Sequence, residues 1–335
     1  MKKGITIKDI AKKLNMSIST VSKALNNDVT ISTLTKERVH ESAKKMHYVP
    51  NEAARNFKQS KTFTIGLIIP NLLDQFFVLA TNGVEVVSEK EKYNVILAQS
   101  HEEVAIQEKI MNVMIRNRVD GVIVAITKNT VDMQLFRDLE SMGIPVVFIA
   151  REPPSPAFNY VVTTNEDGSF NATEFLIKKG HTRIAHLMGP ISMQTSLVRM
   201  QGYKKALLAN NLAVDNELVK EVDFSPESVG AAMQQLMDLP ERPTAVFVFK
   251  TYIALDAIEY LKKHYPNTLD TIDFLGFGNL PLLQYLYHKP IASIEENSFE
   301  MGVKAAELLI KIINQPDTEF SEPEHVEINC NLLVH

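Results

Sequence analysis

Apolar residues at Ile7, Ile10, Ala11 and Leu14 keep the i, i+3, i+4, i+7 spacing of a one-sided helix. Val21, Ala24 and Leu25 predict a second short helix. Val39, Ala43 and Met46, with Tyr48 closing the cluster, predict a third that starts after Ser32. Punctuation supports the first two. Thr6 precedes the first with Asp9 three positions on, Asn15 tolerates the left-handed backbone that ends it, and Ser17 is placed to cap the second. From Phe63 the pattern changes to apolar runs of six or seven residues separated by helical stretches. One set lies at 65–70, 94–99, 121–126 and 145–150, and a second at 183–189, 218–224, 244–249 and 272–278. Such runs alternating with helices predict parallel sheets built from βαβ units, and the repetition predicts two similar α/β lobes.

Three helices around a tight turn have a specific use when small Ala11, turn-forming Asn15 and branched Val21 stand at these spacings. The small side chain lets two helices approach, the turn sets their crossing, and the branched residue fills the junction of a helix-turn-helix. In that motif the second helix enters the DNA major groove. Its outward side here carries Ser17, Ile18, Ser19, Thr20, Ser22, Lys23 and Asn26. Hydroxyls, an amide and a lysine suit phosphates and base edges, and Ile18 suits a thymine methyl.

Charge sharpens this reading. Residues 1–61 hold 13 Lys and Arg against 5 Asp and Glu, whereas the remaining 274 hold 22 against 35. A basic head on an acidic body points to a polyanion as the partner of the head alone. The single cysteine, Cys330, excludes a disulfide framework and a multi-thiolate metal site and fits a reducing cytoplasm, where the protein is expected. No apolar run reaches the ~18 residues of a membrane helix. The N-terminus is charged and amphipathic, unlike a secretory signal, and no membrane partner is expected.

The segment TIKDIAKKLNMSISTVSKALN, followed by YVPNEAARNFK, resembles the start of the LacI/GalR family of bacterial transcription regulators. IGLIIPN, RVDGVIVA, GIPVVFIAR, KKGHTRIAHLMGP, RMQGYKKAL, RPTAVFVF and DFLGFGN then follow in that family's order and spacing, so the resemblance covers most of the chain. It implies an all-α helix-turn-helix head over 1–50 and a hinge or linker over 51–62. It further implies a periplasmic-binding-protein-like body of two doubly wound parallel sheets over 63–335, which binds the effector and dimerises. The first lobe is expected at about 63–162 plus 292–335, with the late strand IASIEE returning to it, and the second at about 163–291.

The resemblance extends the DNA-contacting set to Thr6, Asn51, Arg55, Phe57 and Lys58. The 51–62 stretch is helix-compatible over only about eight residues, fewer than the ~12–15 a lone helix needs in water. The resemblance implies that two such segments pair as hinge helices in the operator's minor groove, with Phe57 as an apolar wedge where the family usually has leucine.

Ligands of doubly wound sheets lie beyond the strand carboxyl ends, which puts the effector between the lobes. By the family pattern the lining is Phe76, Phe77, Thr127, Arg151, Thr195, Arg199, Phe224, Lys250, Thr251, Gly278 and Glu296. The family often has aspartates where this chain has Ala150, Thr251 and Gly278, and an asparagine at Lys250. Lost carboxylates and a gained cation lead us to expect an acidic effector such as a sugar acid or sugar phosphate.

The chain is thus expected to be a repressor-type regulator of carbohydrate genes. It would be a homodimer on a pseudo-palindromic operator, controlled allosterically by a small molecule. Its rivals are a sugar-binding protein and an α/β sugar-acid enzyme with no DNA role. The first would need an export signal and no basic head, the reverse of what this chain has. GFGNLP at 276–281 lacks the third glycine of a dinucleotide loop, and His181 and His186 fall on opposite faces of a strand. No cofactor, metal or catalytic residue is expected.

Overall fold

Local capping sets the three helices of the head in the computed structural model, which describes residues 5–48, 61–315 and 322–335. Helix α1 spans Ile7–Leu14, α2 Ile18–Leu25 and α3 Thr33–Lys45. The Thr6 backbone N–H and hydroxyl both donate to Asp9, at 2.8 and 2.7 Å. Ser17 accepts from the Thr20 backbone and Ser32 from that of Thr35. Asn15 ends α1 at φ 50°. Ile10, Ala11, Val21, Ala24, Val39 and Ala43 form the buried core, with Met46 and Tyr48 packed at its edge. Full burial of one branched side chain contributes about 1.5–3 kcal/mol, so this small core depends on each member.

Residues 63–335 form a separate unit. Its strands are β1 Thr64–Ile69, β2 Asn94–Gln99, β3 Gly121–Val124, β4 Val146–Ile149, β5 Asn159–Thr163, β6 Ile184–Met188, β7 Val219–Glu221, β8 Ala245–Val248, β9 Asp273–Phe277, β10 Ala292–Glu295, β11 His325–Ile328 and β12 Asn331–Val334. One sheet has the order β11-β5-β4-β3-β1-β2 and the other β12-β10-β9-β8-β6-β7. All pairings are parallel except β10 with β12. Alternate residues feed opposite faces, as the pleat requires. Ile65, Leu67 and Ile69 enter one core of the first lobe and Ile68 the other.

The helices are α4 Gln75–Lys90, α5 Val104–Arg116, α6 Gln134–Ser141, α7 Asn165–Lys178, α8 Gln194–Ala209, α9 Pro226–Met237, α10 Thr251–His264 and α11 Ser298–Asn314. Among the described residues, none is long and apolar enough to cross a membrane.

One expectation about the lobes needs correction. Strand β10, the IASIEE segment, does not return to the first lobe; it pairs with β9 in the second, Ala292 opposite Leu275 and Ile294 opposite Phe277. Its buried Ala292 and Ile294 complete a core that already holds Ala172, Leu176, Leu275 and Phe277, and this apolar match decides the pairing. Only afterwards does the chain cross back. Helix α11 docks on α4 so closely that a Cβ on Gly83 would strike the Phe299 carbonyl, and one on Gly302 the Ala80 carbonyl. Strand β11 then extends the first sheet, and β12 crosses again to the second.

The three crossings lie side by side. Thr164 donates its backbone N–H to Ile328, Cys330 donates its own to the Thr164 hydroxyl at 3.0 Å, and the Asn297 amide donates to the Asn329 carbonyl at 2.8 Å. Strand β5 runs to Thr163, so the first crossing falls just past the expected 162.

Candidate functional site

In the head, the side chains on the outer face of α2 are exposed polar groups around one apolar residue. Ser17, Ser19, Lys23 and Asn26 are exposed, Thr20 and Ser22 half-buried, and Ile18 retains 47% of its accessible surface. Burying Val21 and Ala24 on the opposite face forces this presentation. Several of the polar groups are already engaged. The Ser17 and Thr20 hydroxyls bond to each other at 2.8 Å, and the Asn26 amide donates to the Ser22 carbonyl at 2.9 Å. The Lys23 ammonium leans toward the Thr30 hydroxyl at 3.4 Å, and Thr30 in turn donates to Asp28. Those Thr30 bonds hold the Asp28 carboxyl below its ordinary value, with Lys23 adding to the effect. Thr6 is exposed, its hydroxyl committed to Asp9. Asn51, Arg55, Phe57 and Lys58 lie outside the described residues.

In the body, a cavity of about 250 Å³ opens between the lobes at the carboxyl ends of the strands. Phe76, Phe77, Arg151, Thr195, Arg199, Phe224, Lys250, Gly278 and Glu296 all line it. A second chamber of about 360 Å³ adjoins it through Ala150 and Thr195. Two expected residues do not reach the cavity. Thr127 is buried, its hydroxyl bonded to that of Thr130 at 2.8 Å. Thr251 is buried, its hydroxyl taken by the carbonyls of Phe277 and Gly278. Both serve the strand-end loops rather than a ligand.

The cavity also takes residues that the sequence reading passed over, chiefly Asp74, Glu102, Phe249, Tyr252 and Phe277. Strand position is the signal that marks some of them: Phe249 closes the TAVFVF run, Phe277 ends β9, and Glu102 follows β2 within a few residues. Asp74 caps α4, its Oδ1 accepting from the Phe76 backbone at 3.1 Å.

The electrostatics overturn the reasoning behind an acidic effector. Arg199 is buried, yet it is not an unpaired cation. Its Nη2 donates to Glu296 at 2.6 Å, its Nε to Asn165 at 2.8 Å and its Nη1 to the Phe249 carbonyl. The guanidinium carbon lies 3.5 Å from the Phe277 ring centroid and 4.6 Å from that of Phe249. Arg151 grips Glu102 with both terminal nitrogens, at 2.6 and 3.0 Å, a fork that matches the carboxylate. Lys250 faces Asp74 at 3.7 Å.

Burial pulls the Glu102 carboxyl upward, but the Arg151 pair and the Lys128 backbone N–H outweigh it and leave it below its ordinary value. Burial raises the Glu296 carboxyl, with Arg199 opposing. Resident carboxylates Asp74, Glu102, Glu295 and Glu296 thus face three cations in the wall of the cavity.

Backbone strain collects at the same place. Glu102, Ala150 and Phe224 have φ of 61°, 66° and 77°. A left-handed backbone is unusual for a bulky residue, and sites of ligand contact are where such strain is commonly kept. Gly278, at φ 96°, explains one departure from the family pattern: an aspartate there would be strained, although a Cβ would have room.

Comparison with known proteins places this geometry. The profile described as bacterial regulatory proteins, lacI family, matches residues 6–51, and that of periplasmic binding proteins and sugar binding domain of LacI family matches 62–335. The chain is 31% identical over 306 residues to the HTH-type transcriptional repressor CytR of Escherichia coli (strain K12), covering 91% of this chain and 89% of that protein. It is 29% identical to the repressor PurR of Aliivibrio salmonicida (strain LFI1238), over 98% of this chain and 99% of that one. A solved complex of the transcriptional regulator CelR with cellobiose superposes with a TM-score of 0.72 at 27% identity, covering 98% of both chains.

Proposed function

The chain belongs to the LacI family of bacterial regulatory proteins, and from that premise we propose that it is a repressor whose ligand is a neutral, hydroxylated molecule carrying a ring. As a family member it is a DNA-binding transcriptional regulator. The head reads a duplex through α2, with Ile18, Ser19 and Lys23 at base edges and Ser17, Thr20, Ser22 and Asn26 at the backbone. Two half-sites on one operator call for two heads, hence a homodimer.

The observation that carries the ligand class is the pairing of charge in the cleft. Arg199, Arg151 and Lys250 each face a carboxylate of the protein itself. An anion seeking either arginine would have to break the Arg199–Glu296 or Arg151–Glu102 pair, and one approaching the looser Lys250 would meet Asp74, Glu295 and Glu296. Separating a buried pair costs about 3–5 kcal/mol, more than one new contact returns. A neutral ring meets no such cost. Phe76, Phe224 and Tyr252 offer it faces, and Asn71, Asp74, Thr195 and Asn279 offer hydrogen bonds to hydroxyls. The two chambers suit a small ligand, since such sites usually measure about 300–1,000 Å³. The cellobiose held by the CelR relative is a ligand of this class.

Ligand and operator are coupled through the relative orientation of the lobes. The coupling is reciprocal and typically amounts to about 1–3 kcal/mol, or roughly 5–150-fold in affinity. The test is calorimetric titration of the full chain with neutral sugars, nucleosides, sugar acids and sugar phosphates, paired with anisotropy on duplexes from its own promoter. Saturable binding of a neutral compound that changes operator affinity is the expected result. Tight binding of an acid, with its neutral parent inert, overturns the ligand class.

A further inference from the structure

Side chains of the protein bridge the mouth of the cleft. Asp74 belongs to the first lobe, where one of its oxygens caps α4. The other faces the ammonium of Lys250, which immediately precedes α10 in the second lobe, at 3.7 Å. That ammonium also lies 4.7 Å from the ring centroid of Phe224 and 5.8 Å from that of Tyr252. The Tyr252 hydroxyl reaches back across the gap to the Leu73 carbonyl at 3.5 Å. Elsewhere on the rim, Asp223 of the second lobe is held below its ordinary value chiefly by its Ser225 hydrogen bonds, and Lys128 of the first lobe adds to this across the gap.

We propose that the Asp74–Lys250 pair, supported by the Tyr252 hydroxyl, is a latch that draws the lobes together without a ligand. The ligand then acts on an equilibrium already biased toward closure. The geometry suits a bias rather than a lock. A charge-assisted hydrogen bond would bring the atoms to about 2.7–2.9 Å, whereas this pair attracts at longer range. The Lys250 and Asp74 side chains keep 28% and 23% of their surface, so solvent weakens the pair without abolishing it. A two-state element of this kind needs only a few-fold preference to set what a ligand must supply. A ligand that binds the closed form gains apparent affinity from the latch, because less of its binding free energy goes into closing the lobes.

The latch rests on reading this cleft as the ligand site, but its test is separate. Spin labels on Val131→Cys and Ile191→Cys, both exposed and on opposite lobes, report the interlobe distance in the full chain by pulsed dipolar spectroscopy. Burial raises the native Cys330 thiol to about 11, so it labels far more slowly than either. Asp74→Asn keeps an N-cap residue and removes the charge, and Lys250→Met keeps most of the stem.

Without ligand, each variant is expected to lengthen and broaden the distance, raising the open-to-closed ratio roughly 2- to 5-fold, as suits a partly exposed pair. The double variant is expected to add nothing to either single one, because both remove the same interaction. Unchanged distances in both single variants, or additive shifts in the double, overturn the latch. In the labelled parent, persistent operator binding and ligand response alongside either result confine the failure to the latch. Failure of the parent to bind any ligand in the cleft would instead count against the site.

Discussion

Arg199 and Glu296 meet at 2.6 Å with both side chains almost wholly buried, and Arg199 also holds Asn165 at the start of α7. Glu296 sits at the second crossing between lobes and Asn165 just beyond the first, so one guanidinium staples two of the three connections. Arginine stays charged at any working pH. Glu296→Gln therefore leaves a buried cation with only neutral acceptors. A loss of about 3 kcal/mol is expected, at the lower end for breaking a buried pair, because the amide oxygen can still accept. Urea unfolding of the body followed by tryptophan-free probes such as far-UV circular dichroism checks it. A loss under about 1 kcal/mol would show that the pair is not structural.

Lys23 differs from the other polar groups on α2 in carrying charge, and its ammonium is only loosely engaged by Thr30. Lys23→Ala is expected to weaken operator binding by about 1–3 kcal/mol and to relax preference at one base pair, as for a lysine on guanine. Anisotropy titrations on operators altered one base pair at a time, at two salt concentrations, measure both effects. Uniform weakening on every duplex with a shallower salt dependence would make Lys23 a phosphate contact.

Phe224 combines a left-handed backbone with a ring stacked on Phe249 at 5.2 Å. Phe224→Gly removes backbone strain of order 1 kcal/mol while deleting a ring face of the cavity. Its unfolding free energy is expected to stay within about 1 kcal/mol of the parent, because relieved strain offsets much of the lost packing. Ligand affinity is expected to fall about 10-fold or more, in line with a lost aromatic contact of about 1.4 kcal/mol. Equal losses in stability and affinity would show that the ring serves the core.

The head was legible because its signals are local. Thr6, Asn15 and Ser17 act on backbone within four residues, and the i, i+3, i+4 stripe alone decides what Val21 and Ala24 bury. The eight main strands of the body were legible as apolar runs. Strand β5 was not, because Asn159 and Tyr160 open it with polar groups. Nor was the division of the last strand segment, EHVEINCNLLVH, into β11 and β12 on different sheets, since their pairing partners lie far off in sequence. The lobe of β10 was misread for a related reason. Ala292 and Ile294 read as buried strand residues, but the core they match, with Ala172, Leu176, Leu275 and Phe277, is assembled from distant segments and is not visible along the chain. In the cleft, residue types were legible but pairings were not. Arg199 and Glu296 stand 97 positions apart and Arg151 and Glu102 49 apart, so nothing local announces that the cations are already neutralised.

His186 gives a pH dependence of its own, away from the cleft. It lies in β6, fully buried, its ring stacked 4.7 Å from Phe247 and 5.2 Å from Tyr203. Nδ1 is 3.0 Å from the Phe247 carbonyl, which makes it the protonated nitrogen, and Nε2 has no partner among the described residues. Burial lowers the imidazole from 6.5 to about 4, only partly opposed by that hydrogen bond. Between those values the unfolded chain binds a proton that the folded chain refuses. The body therefore loses stability as pH falls from about 6.5 to about 4, and the loss levels off below that. Each pH unit well inside the window is worth about 1.4 kcal/mol, so acidification from pH 7 to pH 5 should cost roughly 2 kcal/mol through this group. His186→Phe cannot titrate and keeps the stack. Its stability is expected to change less between pH 7 and pH 5, by about that amount, in urea titrations at both pH values. Parallel losses in parent and variant would assign the acid sensitivity to other groups.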